Sequence, residues 1–146
     1  MSTDDVDALQ RRLVAFVRAF GLHKGDETPC GMPIGVSEAH ALTALAEAGP
    51  DGLPQTGLGR ALSLSKSTVS RLVDQLIDRG WAVRRAGEGD GRVRAVCLTA
   101  KGDEVAAQVA SARSDRLARL LDRIPPGERP AVLAALATLV EAADDA

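Results

Sequence analysis

Apolar positions in this chain recur at two periods, and the change from one to the other outlines its architecture. Val6, Leu9, Leu13, Phe16, Val17 and Phe20 fall three or four residues apart, which predicts an amphipathic helix over about 4–20. The next stretch, "GLHKGDETPCGMPIG" (Gly21 to Gly35), is rich in Gly and Pro and predicts a long loop. In "VSEAHALTALAEAG" the pattern turns helical again, with Ser37 as the expected N-cap and Gly49 as the stop. After the turn "PDGLP" a short helix is predicted over about Gln55 to Leu62. Its Gly57 and Gly59 each cost about 1 kcal/mol relative to Ala, so packing must hold it.

The most informative stretch is "SLSKSTVSRLVDQLIDRGWAVRR", Ser63 to Arg85. Ser65 is placed to cap a helix that runs to Arg79, with Gly80 ending it. Val69, Leu72, Val73, Leu76 and Ile77 share one face of the helical wheel and form the buried stripe. Ser67, Arg71, Asp74 and Asp78 face the other way, with Thr68 and Ser70 on the flanks. The outward face is therefore small and cationic over its first two turns and acidic only at its far end. A helix that enters a DNA major groove by its N-terminus needs that gradient.

The period then drops to two. "WAVRR" (Trp81 to Arg85) and "RVRAVCL" (Arg92 to Leu98) flank "AGEGDG" and predict a β-hairpin. Beyond it Thr99 can cap a long helix to about Arg123, with Val105, Val109, Ala112, Leu117, Leu120, Leu121 and Ile124 apolar. "IPPGERP" breaks that helix, and a last one is predicted from Pro126 or Gly127 to about Ala142, with Leu133, Leu136, Leu139 and Val140 apolar. Helix, turn, helix and hairpin in this order make a winged helix-turn-helix. The fold class is mainly α with a small β-hairpin wing.

Composition narrows the function. A chain of 146 residues makes one domain with a respectable core. Phe16, Phe20 and Trp81 are its only aromatics, so Leu, Val and Ala must fill that core, as in packed helices. The start "MSTDDVDAL" is acidic where a secretory signal is basic, and the apolar run "AVLAALATLV" is about half a membrane span, so no membrane partner is expected. Cys30 and Cys97 do not make a disulfide framework, which fits a reducing cytoplasm. The net charge of −2 first argues against nucleic acid, but its distribution reverses that. From Gly57 to Lys101 there are nine basic and four acidic residues, while the rest of the chain has nine and sixteen. Local field governs contact with phosphates, and this is an acidic body with a basic middle.

The segment "LSKSTVSRLVDQLIDRGWAVRR…DGRVRAVCLTAKG" resembles the MarR (multiple-antibiotic-resistance regulator) family of bacterial transcription factors. The likeness rests on the recognition-helix pattern, a wing "D-x-R" at Asp90-Gly91-Arg92, and an "LTxxG" at Leu98 to Gly102. It implies a cytoplasmic homodimer that binds double-stranded DNA at an inverted repeat, as a repressor released by a small-molecule effector. On this resemblance 1–36 and 100–146 form the helical dimerisation region, and 37–99 form the DNA-binding lobe. The wide apolar stripes of the terminal helices agree, because little else in the chain is available to cover them. The resemblance assigns Ser65, Lys66, Ser67, Thr68, Ser70 and Arg71 to base edges and phosphates, Arg92 to the minor groove, and Asp90 to holding the Arg92 fork. Asp90 also suits a turn, and Arg84, Arg85 and Arg94 suit either phosphate contacts or solvated strand charges. Gly57, Gly59, Trp81 and the long first loop depart from the family's usual residues.

The signal is less legible. Family members respond to anionic phenolic or lipophilic compounds bound between the dimer base and the winged lobe, or to thiol oxidation or metal. Cys30, His23, Glu38 and His40 offer ligands for a soft or borderline metal, and Cys30 alone offers a redox-sensitive thiol. Glu38 and His40 are two apart on a helix and diverge by about 200°, so one rigid site does not easily take both. The plainer reading is a loop cysteine with solvent or pocket histidines. Cys97 alternates with core-facing strand residues and is expected to be inert. No phosphate loop, nucleophile elbow or close carboxylate or His pair is present, so neither catalysis nor a bound cofactor is expected. A winged-helix module for protein contact is the alternative from another class.

Overall fold

Caps set the first helix. Ser2 accepts the amide of Asp4 at 3.2 Å and opens α1 (Thr3–Phe20), and Gly21 closes it in the left-handed region. The computed structural model describes residues 2–87 and 94–146. The loop that follows is not a solvated strap: Thr28 and Ile34 are buried, and Thr28 ties its own backbone and hydroxyl to Met32. Helix α2 (Val36–Ala48) starts one residue ahead of the expected Ser37 cap. Gly35 is the N-cap, because Glu38 at the third helical position reaches back to the Gly35 amide at 3.2 Å.

A strand that the pattern did not announce follows, β1 (Leu53–Pro54), too short to show a period. It leads directly into α3 (Gln55–Leu62). Helix α4 (Lys66–Asp78) has Ser65 as its N-cap, as expected, and Gly80 follows its end with φ 75°. Strands β2 (Ala82–Ala86) and β3 (Arg94–Leu98) form the hairpin, and β3 also pairs with β1, giving an antiparallel sheet in the order β1-β3-β2. The predicted start of the second wing strand, Arg92 and Val93, lies outside the described residues. Helix α5 (Ala100–Asp122) opens at Thr99, whose hydroxyl accepts the Gly102 amide at 3.0 Å and donates to the Gly80 carbonyl at 2.6 Å. Helix α6 (Arg129–Asp144) starts later than Pro126 or Gly127, since a turn from Pro125 to Glu128 comes first and Pro130 takes a place in the first helical turn.

The core sits where α2, α3, α4 and the sheet meet. Leu42, Leu45, Leu58, Val69, Val73, Leu76 and Val96 are fully buried there. The predicted stripe of α4 is the stripe that packs: four of its members are buried and Ile77 is half-buried. One of the two glycines of α3 also finds its reason. A Cβ on Gly59 would come within 3.1 Å of a Val69 methyl, so its bareness lets α3 lie close on α4. Gly52 combines φ 67° with a backbone approach to Val96 that excludes any side chain, which brings β1 against β3.

The two ends of the chain behave differently. Neither α1 nor α6 has a buried residue. Val6, Leu9, Leu13, Val14 and Phe16 are exposed on one, and Leu133, Leu136, Leu139 and Val140 on the other. Their stripes are not covered by their own winged lobe. Among the described residues no helix is long and apolar enough to cross a membrane.

Candidate nucleic-acid interface and adjoining cleft

The first turn of α4 is fixed by hydroxyls. Ser65 Oγ accepts the Thr68 amide at 3.3 Å and lies 2.8 Å from Thr68 Oγ1 and 3.4 Å from Ser67 Oγ. Ser65 and Thr68 therefore serve the helix start first. Lys66, Ser67 and Arg71 stand outward, and Ser70 is half-buried on the flank. Of the predicted contact residues, these six lie at the cap and first two turns of α4, with Lys66, Ser67 and Arg71 exposed, while Asp90 and Arg92 lie outside the described residues.

The face extends onto α3, which the sequence reading had not credited. Gln55, Thr56, Arg60, Ser63, Lys66 and Val69 line a shallow groove between α3 and the start of α4, placing the Arg60 and Lys66 cations on the same side. Arg84 proves to be neither a free strand charge nor a bare phosphate contact. Its guanidinium donates to Asp74 Oδ1 at 2.8 Å and to Gln55 Oε1 at 3.3 Å, so one side chain of β2 braces both helices. It also masks one of the two carboxylates on the outward face of α4. Arg85 and Arg94 remain exposed on the wing strands.

A second feature lies behind this face. Phe20, Leu22, Pro29, Cys30, Val36, Ala39, His40, Thr43, Val109, Arg113 and Arg116 are among the residues around a cleft of about 530 Å³, its open mouth included. It lies between the end of α1, the first loop, α2 and α5. Among the described residues no Asp or Glu lines it. Arg113 donates to Thr43 Oγ1 at 3.2 Å, and the Arg116 guanidinium sits 5.6 Å from the Phe20 ring centre. The Nε–H of Arg116 is buried with no acceptor among the described residues. A buried donor on a cation without a partner is costly. These arginines were missed, although a signal existed. Val109, Arg113 and Arg116 follow helical spacing, so two arginines occupy positions where an apolar stripe would continue.

The sulfur sites separate as well. Cys30 is half-buried at the cleft, 2.9 Å from Thr28 Oγ1, and His40 is exposed at its lining. His23 and Glu38, the latter paired with Arg79, line a second groove, so the four candidate metal ligands are split two and two, and among the described residues no group of three or more such side chains is gathered. Cys97 is buried in β3 beside the Asp51 carbonyl at 3.6 Å, in line with its expected structural role.

Residues 32–93 match the sequence profile described as the MarR family. The whole chain is similar in fold to solved structures. A probable transcriptional regulator from Pseudomonas aeruginosa is 26% identical, with 91% of each chain covered and a TM-score of 0.63. A MarR family protein from Bacillus stearothermophilus is 24% identical over 99% of each chain, with a TM-score of 0.71. CouR from Rhodococcus jostii RHA1, solved bound to p-coumaroyl-CoA, is 23% identical over 94% of this chain and 92% of its own, with a TM-score of 0.68. No curated protein matches the chain in sequence.

Proposed function

We propose that this chain, whose residues 32–93 match the MarR family profile, is a transcriptional regulator of that family and acts as a homodimeric repressor on an inverted-repeat operator. The observation that carries the DNA reading is the outward face of α4. Lys66, Ser67 and Arg71 project from its first turns, Arg60 stands beside them, and Asp74 is neutralised by Arg84. Such a face reads base edges with short polar groups and holds phosphates with cations. The dimer reading rests on the uncovered stripes of α1 and α6, which in a twofold pair would bury each other and present two copies of α4 to neighbouring turns of DNA. Arg92, with Asp90 holding its fork, enters the adjacent minor groove in this reading.

The cleft is the effector site of the proposal. Its apolar walls suit a lipophilic body, and Arg113 with Arg116 suits an anionic head. That a protein of this fold was solved with p-coumaroyl-CoA supports a ligand role for the architecture.

A salt titration tests the DNA reading. Binding to a random duplex should weaken steeply as salt rises, with a log–log slope near −0.9 for each phosphate neutralised. Flat salt dependence, or no binding in dilute buffer, would turn the case toward a protein-contact module. On a selected operator, Arg92→Ala should cost about 1–3 kcal/mol while the dimer persists. Unchanged affinity would remove the wing from the mechanism.

A further inference from the structure

Among the described residues Glu38 is one of two buried polar or charged residues, and its carboxylate joins parts of the molecule that lie far apart in sequence. Oε1 accepts the Gly35 amide and an Arg79 Nη2–H, each at 3.2 Å, and Oε2 lies 2.7 Å from Arg79 Nε. Arg79 is the residue at the C-terminal end of α4. Its guanidinium also lies over the Trp81 ring, 4.6 Å from the ring centre, and Trp81 leads into β2. On the other side, Glu38 sits in the first turn of α2 between Val36 and the pair Ala39 and His40, all three of which line the cleft. The loop wall carrying Cys30 is tied in through Thr28 and Met32, and Met32 lies two residues ahead of Ile34 and three ahead of Gly35.

We infer that the Glu38–Arg79 pair, stacked on Trp81, is the link by which the state of the cleft and the set of the reading helix constrain each other. Glu38 and Arg79 are positioning residues, since neither is placed at the outward face of α4 or in the cleft lining. The inference rests on the reading of α4 as the DNA contact and of the cleft as the effector site. A buried ion pair suits the task better than an apolar contact: Arg79 Nη2–H donates to Oε1, while Oε2 lies close to Nε but accepts no hydrogen bond among the described residues. A shift at one end must either drag the other or break the pair. Coupling between two sites is reciprocal, so DNA bound at α4 must alter the cleft whatever the natural effector is.

That reciprocity allows a test without the effector. Cys30 lies half-buried at the cleft whereas Cys97 is buried in the core, so iodoacetamide reads the cleft through the alkylation rate of Cys30. Saturating duplex DNA at low salt should change that rate about fivefold or more in the wild-type dimer. In Glu38→Gln, which keeps the side-chain length and the oxygen that caps Gly35, the duplex should still bind but leave the rate within a factor of about 1.5, well below that coupling. Arg79→Gln should behave alike, and the double variant should lose no more than either single one, as expected of two ends of one contact. Trp81, the only tryptophan, should shift its emission in both single variants as Arg79 leaves its ring. A merely structural role for the pair would lower the melting temperature and leave the response of Cys30 to DNA intact, and that result overturns the inference. A wild-type rate unchanged by bound duplex overturns it too. Failure of the wild type to bind duplex at all would sink the DNA reading first and this link with it.

Discussion

Replacing Leu136 with Glu is expected to convert the protein to monomers and to weaken operator binding about 100-fold or more, because the second reading head would no longer be held at high local concentration. Leu136 lies midway along α6 among Leu133, Leu139 and Val140, all exposed in the single chain. In a twofold pair these residues face each other's copies and those of α1, so two carboxylates would enter one apolar seam without partners. The winged lobe should be untouched, since α6 has no buried residue and gives none to the core. Sedimentation of the variant should show half the wild-type mass with unchanged helicity. A variant that stays dimeric would move the interface off α6. One that becomes monomeric yet keeps its operator affinity would show that each lobe binds alone, and would remove the inverted repeat from the proposal.

The same uncovered stripes explain why the ends of the fold were easy to read and hard to complete. Helical periodicity is a property of one segment, so α1, α4 and α5 were legible to within a residue or two. Ser65 and Thr99 announced themselves as caps because a hydroxyl two or three residues ahead of a free amide is a local arrangement. Other features had no local trace. β1 is two residues long and exists only because Val96 and Ala95 pair with it. Gly35 displaces Ser37 as the cap because Glu38 reaches backward to the Gly35 amide, a contact that the residue types alone do not distinguish from a metal ligand's role. Arg84 reads as a surface charge until α3 and α4 are folded beside it. The contact between Glu38 and Arg79 spans 41 residues and could not be seen from either end.

Removing both cleft cations, with Arg113→Ala and Arg116→Ala combined, should abolish preference for anionic ligands while leaving the cleft able to hold neutral ones. Cinnamate and cinnamamide make the comparison, having the same apolar body and differing in charge. Each charge-assisted bond contributes about 1.5–3 kcal/mol, so losing two should weaken cinnamate by about 3 kcal/mol or more, roughly 100-fold. The amide should change little, because it met the guanidiniums only as a neutral acceptor. Arg113 also holds Thr43 and Arg116 covers Phe20, so some loss of thermal stability is expected as well and is measured separately. The ratio of the two ligands is insensitive to that loss, since a loosened cleft penalises both alike. Equal weakening of acid and amide would mean that the arginines merely support the walls. An unchanged ratio that still favours the acid would place the anion elsewhere on the molecule. A ratio that collapses as expected would place the ligand's negative charge against Arg113 and Arg116, the two guanidiniums that line the cleft.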